Sequence, residues 1–201
     1  MKDLPKTPLT QMCKAIADMA GLVYQGLMAN DAHYLDRALN KEQIVDDLER
    51  EITSNVIQVS KRLAKKDQKE FILQAQVAQN IERMGDEFRS LIERIEIKIA
   101  EKLFFSDEGI EHYKQVFEKM HKSLNLTMQF LTEGKTELLD AILKNGDEIK
   151  ALIEKYRVEH MKRLANGICK VRASNMFFDM LDFTGNIARH CTNIARAYKG
   201  Q

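Results

Sequence analysis

Apolar residues in this chain recur in steps of four and three, and one such stripe occurs twice. Val77, Ile81, Met84, Phe88, Leu91 and Ile95 form the first copy. Phe177, Leu181, Thr184, Ala188, Cys191 and Ala195 form the second, one hundred positions on. Steps of four-three-four-three-four keep side chains on one side of an α-helix. The residues within the stripe recur in worn form: Ile81-Glu82-Arg83-Met84-Gly85-Asp86 becomes Leu181-Asp182-Phe183-Thr184-Gly185-Asn186. A repeat on this scale points to two related helical units, each with one copy of an acidic motif.

The same patterning predicts six helices, at about Leu9–Ala29, Ala32–Lys65, a third running on from a Lys66-Asp67 turn to Phe104, a fourth opening at Ser106-Asp107 and ending near Gly134, Lys135–Ala165 and Ala173–Lys199. Ser106 is an N-cap candidate, and Asn166-Gly167 supplies left-handed cap chemistry. Asn145-Gly146 reads locally as a turn. Its alignment with Lys41-Glu42, inside a helical run, favours a continuous fifth helix at a cost of ~1 kcal/mol for the glycine. Short connections between long neighbours imply antiparallel packing. The expected fold is all-α, two tandem antiparallel three-helix bundles, with residues 1–105 as the first domain and 106–201 as the second.

Composition narrows the function. Both prolines, Pro5 and Pro8, precede the first helical pattern, and 30% of residues are charged. The formal net charge of +1 leaves no electrostatic footprint for nucleic acid. The chain has no Trp and few aromatics, which argues against a stacking platform. Cys13, Cys169 and Cys191 lack CxxC spacing and read as free thiols in a reducing compartment. The opening residues lack the apolar block of a signal peptide, and no apolar run approaches the ~20 residues of a membrane span. The expectation is a soluble, cytoplasmic chain.

Glu82 and Asp86 lie one turn apart on one helix face, as do Glu42 and Asp46 on the second helix. Hard oxygen donors at that separation can bridge cations, and antiparallel packing would bring the two pairs together. By helical phase Glu82 and Asp86 fall off the apolar stripe, on the outward flank, and Glu42 and Asp46 at the border of theirs, so a shared site would lie on the bundle surface. Acid-x-x-x-acid also occurs at Asp47/Glu51, Asp107/Glu111 and Glu133/Glu137, so a solvated face competes with the metal reading. A ferritin-like di-iron centre needs two Glu-x-x-His motifs; the chain offers one, Glu118 to His121. His33, His112, His121, His160 and His190 show no ligand-spaced cluster and read as surface or packing residues. Phosphate-cradling glycine motifs are missing, and no grouping supports a catalytic assignment.

The run Asn80-Ile81-Glu82-Arg83-Met84-Gly85-Asp86 resembles the ERIGD signature of the PhoU family of bacterial phosphate-uptake regulators. Gly185-Asn186-Ile187-Ala188-Arg189-His190-Cys191 resembles its continuation in the second repeat. His160-Met161-Lys162-Arg163-Leu164 with Gly167 and Cys169 is similar to the PhoU-like cytoplasmic domain of bacterial sodium–phosphate cotransporters. The likeness spans roughly residues 9–199. It implies two tandem three-helix bundles, no enzyme activity, and regulation of phosphate uptake and starvation signalling by contact. The implied partners are a phosphate transporter or its ATPase, or a sensor kinase, with the membrane reached only through that partner and a homo-oligomer open. Divalent or iron ions are implied at Glu42, Asp46, Glu82 and Asp86. The second bundle departs, with Gly146/Lys150 and Asp182/Asn186 at the matching positions, so only Asp182 remains as a weaker ligand. The competing reading is a metal-storing or metal-sensing helical protein without a phosphate role.

Overall fold

The computed structural model describes residues 8–60 and 68–200. They form six helices: α1 (Pro8–Ala29), α2 (Ala32–Ser60), α3 (Lys69–Ala100), α4 (Asp107–Glu133), α5 (Glu137–Ala165) and α6 (Val171–Lys199). The expected all-α double bundle is what the chain adopts. α1–α3 pack on one another, as do α4–α6, and α3 crosses α6 while α1 also meets α4. The expected end of the second helix at Lys65 and the turn at Lys66-Asp67 lie outside the described residues.

Both repeated stripes are buried along their full length, from Val77 to Ile95 and from Phe177 to Ala195. The helices that carry them, α3 and α6, meet. Asn80 Oδ1 lies 3.1 Å from His190 Nδ1, Asn186 Nδ2 donates to Glu87 at 3.2 Å, and Arg94 Nε donates to Asp179 at 2.8 Å. As the chain climbs α3 its partners descend α6, so the helices run antiparallel. The crossing centres on positions 86–87 against 186, matching places in the two copies. A twofold relation between the halves requires that arrangement.

Chain ends of the helices follow local chemistry. Ser106 Oγ accepts the Gly109 N–H at 3.2 Å, and Gly134 closes α4 at φ 69. Gly167 takes φ 72 after α5, as the Asn-Gly pair suggested. The third helix stops at Ala100 rather than Phe104. Lys102 adopts φ 51, and the Leu103 N–H turns back to Lys98 O at 2.9 Å. This is a Schellman-type stop with lysine where glycine is usual, which an apolar pattern continuing through Leu103 and Phe104 concealed.

α5 runs unbroken through Asn145-Gly146. Packing explains both residues. Asn145 Nδ2 donates to Ser123 Oγ and to Lys119 O, each at 2.7 Å, tying α5 to α4. A Cβ at Gly146 would stand 2.3 Å from Thr192 Cγ2, so the glycine sets how closely α6 approaches. Gly146→Ala should therefore destabilise by about 1–2 kcal/mol, because overpacking outweighs the helix-propensity gain. Urea denaturation of Gly146→Ala with and without Thr192→Ser checks this; the penalty should vanish in the double variant.

Candidate functional site

The facing helices α2 and α3 bring the two acidic pairs alongside, and they do so unequally. Glu42 is 6% exposed. Its Cγ lies 3.4 Å from where a Cβ on Gly85 would stand, so the motif glycine makes room for the Glu42 stem. Its carboxylate accepts from Arg89 Nη2, and the same guanidinium reaches within 3.9 Å of Asp86. Asp46 is half-buried, 3.9 Å from Arg50. Glu82 is half-buried rather than on the outward flank, and Asp86 is exposed.

Electrostatics bind these acids into one site. Burial, then the neighbouring Asp86 charge and a hydrogen bond with it, then Glu49 and Asp46, push Glu82 up to about 7. Burial is also the largest cause raising Asp46, opposed by Arg50 and reinforced by Asp86, Asp47 and Glu49. Glu49, which the motif did not single out, thus belongs to the cluster. Carboxylates that hold protons against one another have unmet demand for positive charge. Hard oxygens suit a divalent cation, but among the described residues no three of these acids bring ligand atoms within 4.8 Å of one another. Glu42 can join such a site only by leaving Arg89.

The second bundle has lost this arrangement. Asp182 is held by Arg157. A Cβ at Gly185 would stand 2.8 Å from Ile153 Cδ1, so an aliphatic side chain covers the second motif glycine where Glu42 covers the first. Asn186 binds Glu87 and Arg189. A groove of about 400 Å³ between α5 and α6 is lined by Lys150, Asp182, Asn186 and Arg189 among others. Lys150 there opposes any cation, as the substitution for an acid suggested.

One group was not anticipated. Glu108 and His112 on α4 meet Glu159 on α5, with one ligand atom from each lying within 4.8 Å of the others; among the described residues no other His, Cys, Asp or Glu cluster is so close. The expectation that no histidine belongs to a ligand cluster fails at His112. His112 Nε2 is 3.4 Å from Glu159 and 3.8 Å from Glu108. Burial, with Arg163 nearby, lowers its pKa, outweighing the two carboxylates. The other histidines pack as expected where buried: His160 stacks on Phe177 at 4.4 Å, and burial pushes both it and His190 down to about 4. Cys13 and Cys191 are free, buried thiols.

Twin three-helix bundles joined across their motif-bearing helices, with an acidic face on one of them, define the architecture. Comparison with known proteins gives the family. The PhoU domain matches residues 9–95 and again 113–198. The chain belongs to the PhoU family. The crystal structure of PhoU from Pseudomonas aeruginosa superposes with a TM-score of 0.88 at 14% identity, covering 98% of this chain and 96% of that one. The phosphate transport system regulatory protein PhoU from Streptococcus pneumoniae gives 0.83 at 12% identity, covering 96% and 93%. These likenesses establish the fold. A sequence comparison with curated proteins finds no match. PhoU proteins are regulators rather than enzymes, and this chain is a regulatory protein. Among the described residues no helix is long and apolar enough to cross a membrane.

Proposed function

We propose that this chain is a cytoplasmic regulator of phosphate uptake and phosphate-starvation signalling, acting by contact on a phosphate transporter, its ATPase or a sensor kinase. Family membership supports the regulatory class, and the Streptococcus pneumoniae relative is described as part of a phosphate transport system. The observation that carries the rest is the α2/α3 cluster of Asp46, Glu49, Glu82 and Asp86, where burial, reinforced by neighbouring carboxylate charge, raises Glu82 and Asp46 together. A divalent cation there would cancel clustered charge and could link the face to acidic groups on a partner. On this reading the contact is metal-dependent and lies on the first bundle.

Neutralising Glu42, Asp46, Glu82 and Asp86 together should remove metal from this face and weaken binding to the transporter ATPase, read by titration calorimetry of purified proteins. Full partner affinity in that variant would dismiss the surface. Arg89 competes with the cation for Glu42 and Asp86. Arg89→Gln should therefore tighten divalent-ion binding, by about tenfold if one opposing charge contributes ~1.4 kcal/mol. Unchanged or weaker binding would mean that Glu42 takes no part.

A further inference from the structure

We propose that Glu108, His112 and Glu159 form a separate metal centre on the second bundle, taking one divalent transition ion of the zinc type. It shares no residue with the acid-x-x-x-acid motifs and stands independently of the role assigned to them. Glu108 lies in the first turn of α4, and His112 follows one turn later on the same face. α5 packs antiparallel and presents Glu159 to both. One imidazole and two carboxylates suit zinc, iron or manganese better than calcium, which prefers an all-oxygen shell.

Geometry is close to that of a bound ion. Ligands at ~2.0–2.2 Å from a tetrahedral centre lie roughly 3.3–3.6 Å apart. His112 Nε2 and Glu159 Oε2 stand at 3.4 Å, and His112 Nε2 and Glu108 Oε1 at 3.8 Å. From His112, closing the site asks for a few tenths of an ångström, and the Glu108 and Glu159 oxygens lie within 4.8 Å of each other. The ring is already fixed: it stacks on Tyr156 at 3.9 Å and 5°, and Tyr156 is anchored through its hydroxyl to Gln115.

The chemistry of the ring favours a cation on Nε2. Among the described residues His112 Nδ1 is a buried side-chain polar atom without a partner; Arg163 Nε is another, but as a donor it calls for an acceptor and not for a cation. A neutral imidazole in this place cannot satisfy both ends. With the proton on Nε2 the Nδ1 lone pair is stranded; with it on Nδ1 the Nε2 lone pair faces two carboxylates. A metal on Nε2 removes the repulsion.

Arg163 supplies the outer support. Its side chain is 7% exposed, and Nη1 donates to Glu108 Oε1 at 2.7 Å while Nη2 lies 3.1 Å from His160 Nδ1. A carboxylate that accepts one such bond keeps lone pairs for a metal, and partners of this kind orient ligands. Lys155, 4.0 Å from Glu159, is the other cation at the site and is exposed. With exposed Lys155 turned to solvent, the two carboxylates against Arg163 leave one net negative charge at the site. The fourth position is open to water. Bound, the ion would tie the start of α4 to the end of α5.

The test uses full-length protein with Glu42, Asp46, Glu82 and Asp86 neutralised, stripped with chelator and titrated with zinc chloride and then cobalt chloride. One zinc should bind per chain, with a rise in melting temperature, and cobalt should give the visible absorption of a four-coordinate nitrogen–oxygen site. His112→Phe, which keeps the stack on Tyr156, and the isosteric Glu159→Gln should each weaken zinc at least tenfold and remove the cobalt bands. Absence of saturable zinc binding in the parent, or equal affinity in both variants, overturns the proposal. Failure of the α2/α3 site would be read separately, as no difference in metal content between wild type and the neutralised parent.

Discussion

Phe88→Ala should destabilise the protein by about 3–5 kcal/mol and lower its melting temperature by roughly 10–15 °C. Phe88 is fully buried on the α3 stripe, between Met84 and Leu91 and one turn from Gly85. The second copy carries Ala188 at the matching place, equally enclosed, while Phe177 stands where the first copy has Val77. The two bundles thus fill equivalent helices with the large ring at different places along the stripe. Phe177→Ala should consequently match Phe88→Ala in size. Ala188→Phe should also destabilise, because the space already taken by neighbours in the second bundle cannot admit a ring. Chemical denaturation of the three variants decides the matter. A loss below 1 kcal/mol for Phe88→Ala would mean that α3 is not packed as described.

That exchange of Phe88/Ala188 against Val77/Phe177 shows why the fold was readable from the sequence. A stripe specifies which face is buried, not which residue fills each hole, so the periodicity survived where identity did not. Ser106, Gly134 and Gly167 were equally legible, because caps depend on local backbone chemistry. The stop at Lys102 was not, since lysine in the left-handed region carries no compositional flag.

The candidate sites divide along the same line. Spacing could put Glu82 beside Asp86, and helix adjacency could put both near Glu42 and Asp46. It could not tell that Arg89 takes the Glu42 carboxylate, that Glu49 joins the cluster, or that Ile153 lies over Gly185. Those outcomes depend on the axial register of α2 on α3 and of α5 on α6, to within a single turn. The same holds for His112. Glu108 and His112 share a face by spacing, but so do many pairs on helices this charged; only the register of α4 on α5 brings up Glu159.

In chelator-treated protein, Glu82 should make stability fall as pH rises from about 5 to about 7. Its carboxyl titrates near 7 in the folded chain, against an ordinary value of 4.5. Between those values the folded protein keeps a proton that the unfolded chain has already released. Raising the pH through that window therefore favours unfolding. Below it both states are protonated and above it both are ionised, so the slope vanishes at either side. Asp46, raised in the same sense, adds to the trend. His160 and His190 act oppositely between about 4 and 6.5, because burial keeps them neutral while the unfolded chain protonates. The measurement is accordingly the difference in unfolding free energy between wild type and Glu82→Gln across the pH range. After allowance for solvent screening of a half-buried group, that difference should change by about 1–2 kcal/mol, with the glutamine variant gaining as pH rises. Asp86→Asn removes the nearest charge and should move the window downwards. Divalent zinc or manganese should erase the trend by standing in for the proton among the carboxylates. A difference that stays flat from pH 5 to 8 without metal would show that Asp46, Glu49, Glu82 and Asp86 do not press on one another, and the cation-binding face of the first bundle would go with it.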